Sequence, residues 1–179
     1  ARIAKSTFLA MTVDLEKTLL PTAPEGARDD LDEGADVGEY RVLRGIGRGG
    51  AGSVYLARHR QTGEQVAVKV LHTHLSFDPA SVERFFREVS TVDKVRHENI
   101  VRVHAAGRLS DERPYFAMEL LTGMNLRRVI QSSGRLPPAD TLEIIEQVCD
   151  ALAAAHAAGV IHRDVKPENV IVDAERRVK

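Results

Sequence analysis

The residues here whose types and spacing could do chemistry begin with a glycine-rich turn, Gly47-Arg48-Gly49-Gly50-Ala51-Gly52, and a lysine seventeen positions beyond it, Lys69. The turn matches G-x-G-x-x-G, whose backbone can close over a phosphate chain without side-chain obstruction. Three kinds of site share this spacing. A Walker loop needs lysine after the last glycine, but Ser53 and Val54 follow. A dinucleotide fold needs a helix to start in the turn, whereas Ser53-Val54-Tyr55-Leu56-Ala57 has strand character. A glycine-rich hairpin remains, and an ordinary flexible hairpin is the rival reading.

Lys69 lies in Val66-Ala67-Val68-Lys69-Val70, where a period of two puts Ala67 and Lys69 on one strand face and the three valines on the other. A small residue beside a lysine suits a flat ring with an anionic tail; a plain surface lysine is the alternative. Glu88 falls beside Phe85, Val92 and Val95 on a helical wheel, at the edge of the apolar stripe. A carboxylate there needs a partner, because an unpaired buried charge is costly. Lys69 is one candidate, and the pair would hold the ammonium for phosphate oxygens. Pairing with Arg84, or simple exposure, is the other reading.

These residues depend on a particular run of elements. Tyr40–Ile46 and Ser53–Arg58 read as strands flanking the turn, and Val66–Leu71 as a third, rich in β-branched residues. Asp78-Pro79 opens a helix whose apolar positions recur every three or four residues. Two more strands, Ile100–Gly107 and Tyr115–Leu121, follow. A short helix is expected over Asn125–Gln131 and a long one from the Gly134–Pro138 break to about Ala158. On the long helix, Leu142, Ile145, Val148, Cys149 and Leu152 share one face, and Gly159 is its stop. The string His162-Arg163-Asp164-Val165-Lys166-Pro167-Glu168-Asn169 then forms a polar loop before an apolar run, Val170-Ile171-Val172.

Composition narrows the class. Hydrophobic residues make up 43% of the 179 and charged residues 28%, enough for a packed core. Lys plus Arg number 25 against 26 Asp plus Glu, which argues against a broad basic surface for nucleic acid. A single cysteine, Cys149, excludes an intrachain disulfide framework and a multi-cysteine zinc site, and its helix position reads as a core thiol. The histidines lack metal-ligand spacing, and no nucleophilic triad is suggested. No apolar run reaches the roughly 18 residues of a membrane helix, and no signal peptide is legible. Glu25 to Asp36 holds six acidic residues, so residues 1–36 read as a mobile acidic tail, with a short helix over Met11–Leu20 as the alternative. Thr18 and Thr22 are candidate phosphorylation sites there, or plain tail residues.

The loop string resembles the H-R-D-x-K-P-x-N catalytic loop of protein kinases. In family order the chain also supplies G-x-G-x-x-G-x-V at Gly47–Val54, V-A-V-K at Val66–Lys69 and the helix glutamate Glu88. The resemblance spans about Tyr40 to Lys179. Lys166 is similar to serine/threonine rather than tyrosine kinases, and the wording around Gly47–Val70 looks most like the bacterial eukaryotic-type (Hanks-type) serine/threonine kinases.

The resemblance implies an α+β, protein-kinase-like bilobal fold. It implies a complete N-lobe with hinge over 37–121 (a five-stranded antiparallel sheet plus one helix) and the first part of a helical C-lobe over 122–179. It implies a non-specific serine/threonine protein kinase acting in signal transduction, transferring the γ-phosphate of ATP to protein Ser/Thr hydroxyls with Mg²⁺. ATP contacts fall on Ile46, Gly47, Gly49, Gly52, Val54, Ala67, Lys69, Glu88, Met118, Glu119, Leu121 and Ile171. Among these, Val54, Ala67 and Ile171 sandwich adenine, Met118 is the gatekeeper, and Glu119-Leu120-Leu121 is the hinge. Asp164 accepts or orients the hydroxyl proton, Lys166 neutralises the moving γ-phosphate, and Asn169 holds Mg²⁺. Arg163 pairs with a phosphorylated activation segment, and His162 is a packing element. Expected partners are ATP and Ser/Thr-bearing proteins, with no nucleic acid; a homodimer through the N-lobe and a cytoplasmic location are further expectations.

The family's D-F-G, whose aspartate is the principal Mg²⁺ ligand, does not occur in the chain. The expectation is therefore a fragment of a kinase gene product, inactive alone, with D-F-G shortly past Lys179 and any membrane anchor further downstream. The competing function is a non-catalytic nucleotide-binding or protein-interaction module of pseudokinase type. A small-molecule kinase of the same lobed fold fits less well, since such enzymes usually depart from the loop string.

Overall fold

The computed structural model describes residues 30–179. The expected tail up to residue 29, the alternative helix over 11–20 and the two threonines lie outside the described residues. Two compact units divide the chain: one runs up to Val89 and includes Arg102–Leu120, the other comprises Ser90–Val101 and Leu121–Lys179.

In the first unit, the alternating and β-branched runs form an antiparallel sheet. Its strands are β1 (Asp36–Val37), β2 (Tyr40–Arg48), β3 (Gly52–His59), β4 (Gln65–Leu71), β5 (Val103–Arg108) and β6 (Pro114–Glu119). Their order is β1-β2-β3-β4-β6-β5. The five expected strands are present, and β1 adds a short sixth through the pairs Asp36↔Arg41 and Val37↔Tyr40. The acidic stretch does not end where expected. Leu31 and Ala35 pack against the core beneath Val37, Tyr40, Val42, Tyr55, Ala57 and the three β4 valines, so the folded unit starts before residue 36. Asp78 caps α2 (Pro79–Val92), accepting from the Ala80 amide at 3.3 Å and the Ser81 amide at 3.0 Å. A four-residue helix, α1 (Thr73–Ser76), precedes it and was not legible as an element.

The second unit holds β7 (Met124–Asn125), α3 (Leu126–Ser133), α4 (Pro138–Ala157) and β8 (Ile171–Val172). Asn125 caps α3, its Oδ1 accepting from the Arg128 amide at 2.8 Å. Gly159, at φ +75°, follows the end of α4 in the left-handed region glycine favours. The core gathers Leu126, Ile144, Val170, Val172 and Val178, with Val148 packed against it. This corrects the expected face of α4. Ile144 is only 3% exposed, whereas Leu142 is 70% and Ile145 49% exposed. Cys149 is exposed too, so it is not a core thiol. No helix of the described residues is long and apolar enough to cross a membrane.

Candidate active site

Strand β4 organises the candidate residues of the first unit. It pairs with β3 through Val54↔Lys69 and Leu56↔Ala67, and with β6 through Ala67↔Met118 and Lys69↔Phe116. Cross-strand partners share a face, so Val54, Ala67, Lys69 and Met118 stand together. Val66, Val68 and Val70 turn into the core on the other side, as period two requires. Ile46 sits at a register shift between Gly45 and Gly47, an irregularity of the kind that re-aims a side chain. Glu119 closes β6, its amide donating to the Arg102 carbonyl at 2.8 Å. Leu121 begins the second unit, which also holds the buried Ile171.

Lys69 Nζ lies 5.8 Å from the centroid of the Phe116 ring. That ring in turn meets Phe85 of α2, centroids 5.1 Å apart. Burial pulls the Lys69 pKa down, while the Glu88 carboxylate pushes it back up. Glu88 mirrors this: burial raises its pKa, and Lys69, then Arg84, lower it. The two charges are coupled, yet they form no contact ion pair.

The glycine turn needs its glycine at position 52 for a steric reason. A Cβ there would lie 2.1 Å from the Val70 carbonyl oxygen of β4. At Gly50 a Cβ would meet nothing within 4 Å, which leaves the tip unobstructed. Two residues that no motif in the sequence marks also hold this hairpin. The Asp30 carboxylate accepts from Arg48 Nη1 at 2.8 Å and from Ser53 Oγ at 3.2 Å. His72, just past β4, places Nε2 2.9 Å from the Gly49 carbonyl oxygen. Asp30 lay in a stretch read only as acidic, and a lone histidine after a strand carries no motif.

The loop string carries a second cluster, within the second unit. Lys166 Nζ is 2.9 Å from Asp164 Oδ2. Asn169 Nδ2 donates to the Asp164 backbone oxygen at 2.7 Å and to Oδ2 at 3.2 Å. The Lys166 hydrogen bond, against some burial and with help from Asn169, holds the Asp164 carboxyl below the usual range. Among the described residues, Asp164 Oδ1 has no hydrogen-bond partner in the protein. Arg163 turns the chain at φ +64°, uncommon for a residue with a side chain. His162 accepts from the Asp164 amide at Nδ1, 3.3 Å away, and acts as a brace, while burial lowers its pKa.

Asp164 and Asn169 are hard oxygen donors of the kind Mg²⁺ takes. With its Nδ2 turned toward Asp164, Asn169 keeps Oδ1 without a protein partner among the described residues. The donor set therefore fits Mg²⁺ in type. No group of three or more His, Cys, Asp or Glu among the described residues forms a separate metal centre.

A sheet carrying a glycine-rich hairpin, a lysine and a helix glutamate, with a braced Asp–Lys–Asn loop in a helical unit, defines the protein kinase class. The chain belongs to the protein kinase domain family, which matches residues 40–179. It is 42% identical over 150 residues to the serine/threonine-protein kinase Pkn1 of Myxococcus xanthus, covering 84% of this chain and 21% of Pkn1. It is 37% identical over 142 residues to PrkC of Bacillus subtilis, covering 79% of this chain and 22% of PrkC. The chain thus spans about a fifth of these relatives' lengths. Among solved structures, the kinase domain of PknI from Mycobacterium tuberculosis superposes with a TM-score of 0.71 at 30% identity, covering 83% of this chain and 61% of that one.

Proposed function

We propose that the protein bearing this chain is a serine/threonine protein kinase that moves the γ-phosphate of ATP to protein hydroxyls. The observation that carries the reading is the Asp164–Lys166–Asn169 cluster, with Lys166 2.9 Å from Asp164. Phosphoryl transfer needs positioning and charge neutralisation more than covalent help. The depressed pKa of Asp164 makes it a weak base and a good orienting acceptor: Oδ1 receives the hydroxyl hydrogen while Lys166 and Asn169 hold Oδ2. Lys166 can then meet the charge of the moving phosphate. Lys69 takes the α- and β-phosphates, with Glu88 opposing the effect of burial on its charge. Ile46, Val54, Ala67, Met118 and Ile171 supply apolar surface for adenine, and Gly47, Gly49 and Gly52 the unobstructed cover. Glu119 and Leu121 contribute backbone. Mg²⁺, held in part by Asn169, would neutralise phosphate charge. The serine/threonine assignment rests on Lys166 and on the names of the relatives.

The open Lys69–Glu88 geometry favours a second reading, a module that binds nucleotide without turnover. The experiment is transfer of label from γ-³²P-ATP to a serine- and threonine-bearing protein by the natural gene product, followed by phosphoamino-acid analysis. Phosphoserine or phosphothreonine that vanishes in Asp164→Asn supports the kinase. MgATP binding without any transfer supports the second reading.

A further inference from the structure

The tip Gly49-Gly50-Ala51 carries almost no side chain with which to fix itself, and glycine leaves its backbone the widest freedom. The turn is nevertheless pinned on both sides by one residue outside the motif. The His72 amide donates to the Ala51 carbonyl at 3.0 Å. Its ring Nε2 lies 2.9 Å from the Gly49 carbonyl. A carbonyl only accepts, so Nε2 carries the hydrogen. The ring is set in place beforehand: His72 is 6% exposed, and it stacks on His74 at 5.7 Å between centroids and 18° between planes. Its own carbonyl accepts from the Leu75 amide at 3.0 Å and the Ser76 amide at 3.1 Å.

The bonds within the turn show what this achieves. The Gly49 amide is used internally, donating to Gly52 at 2.9 Å. Among the described residues, the Gly50 and Ala51 amides make no hydrogen bond within the protein. Those are the donors a phosphate can use. His72 follows directly on β4, the strand that carries Lys69, so one rigid element spaces the lysine from the turn.

We propose that His72 is a positioning residue for nucleotide phosphates: its ring N–H holds the Gly49 carbonyl and so fixes the tip amides relative to Lys69. This rests on the kinase reading above. The test is calorimetric titration of the natural gene product with MgATP and, separately, with adenosine, which lacks phosphates. His72→Phe keeps a ring without the donor, and His72→Gln restores an N–H. One hydrogen bond predicts MgATP binding weakened about 3- to 10-fold in His72→Phe, with adenosine binding unchanged and MgATP binding recovered in His72→Gln. Equal loss for both ligands, or no loss, overturns the proposal. If His72→Phe does not fold, His72→Leu is read the same way, and unfolding of both assigns His72 a structural role and also overturns it. Lys69→Met separates the two ideas. If it loses MgATP while His72→Phe does not, only the His72 role falls; a wild-type gene product that binds no MgATP removes the kinase reading and this proposal with it.

Discussion

Lys69 on β4 and Glu88 on α2 share one half-buried environment without touching, and each shifts the other's pKa against the direction of burial. An arrangement of this kind is poised rather than closed. Glu88 opposes the effect of burial on the ammonium without occupying it as a contact partner, so phosphate oxygens find it available. Lys69→Met should therefore weaken MgATP binding about 10- to 100-fold, as expected for loss of a hydrogen bond to a charged group. Glu88→Gln should weaken it less, since it removes support and not the contact. Titration calorimetry on both variants checks the order; a larger effect from Glu88→Gln would contradict it.

The close approach of Gly52 to Val70 predicts an asymmetry within one motif. Gly52→Ala forces a Cβ to within 2.1 Å of backbone oxygen, so the strands must part. The cost should be about 1–3 kcal/mol, the usual range for overpacking. Gly50→Ala meets nothing within 4 Å and should leave stability near wild type. Urea unfolding of the two variants is the comparison.

Asp78 gives a pH-dependent prediction. The Ser81 hydroxyl, opposed by some burial and joined by the Ser81 and Ala80 amides, holds its carboxyl below the ordinary value. A depressed folded pKa contributes stability that is present above the unfolded pKa and lost as pH falls through the folded one. The melting temperature of Asp78→Ala should therefore lie below wild type near neutral pH. The gap should shrink as pH drops below the ordinary carboxylate range. A gap that widens on acidification would show that the cap does not act through the ionised carboxylate.

Much of the site was legible because its parts obey short periods. The alternation in Val66–Val70 placed Ala67 and Lys69 on one face, and the register with Met118 and Phe116 followed. The helical wheel set Glu88 at the edge of the stripe, where burial does shift it. The buried face of α4 was not legible, for a physical reason. Leu142, Ile144, Ile145, Val148 and a run of alanines surround that helix almost entirely, so two stripes are available and only the partner elements choose Ile144. The roles of Asp30 and His72 were hidden differently. Both act through hydrogen bonds to backbone or side chains distant in sequence, at 23 positions' separation for Ser53–Asp30 and for His72–Gly49, and no local pattern encodes such a contact.

The central claim is that Asp164 serves transfer and not nucleotide binding, because its Oδ1 and its Lys166 partner form a hydroxyl-orienting, charge-neutralising pair. The most direct measurement takes one preparation of the natural gene product and its Asp164→Asn variant, and records MgATP affinity and phosphate transfer to protein side by side. Retained affinity is expected, with transfer reduced about 10²- to 10⁴-fold, the range typical of a lost acid–base group. Transfer undiminished in Asp164→Asn, or lost only in proportion to MgATP affinity, would contradict it.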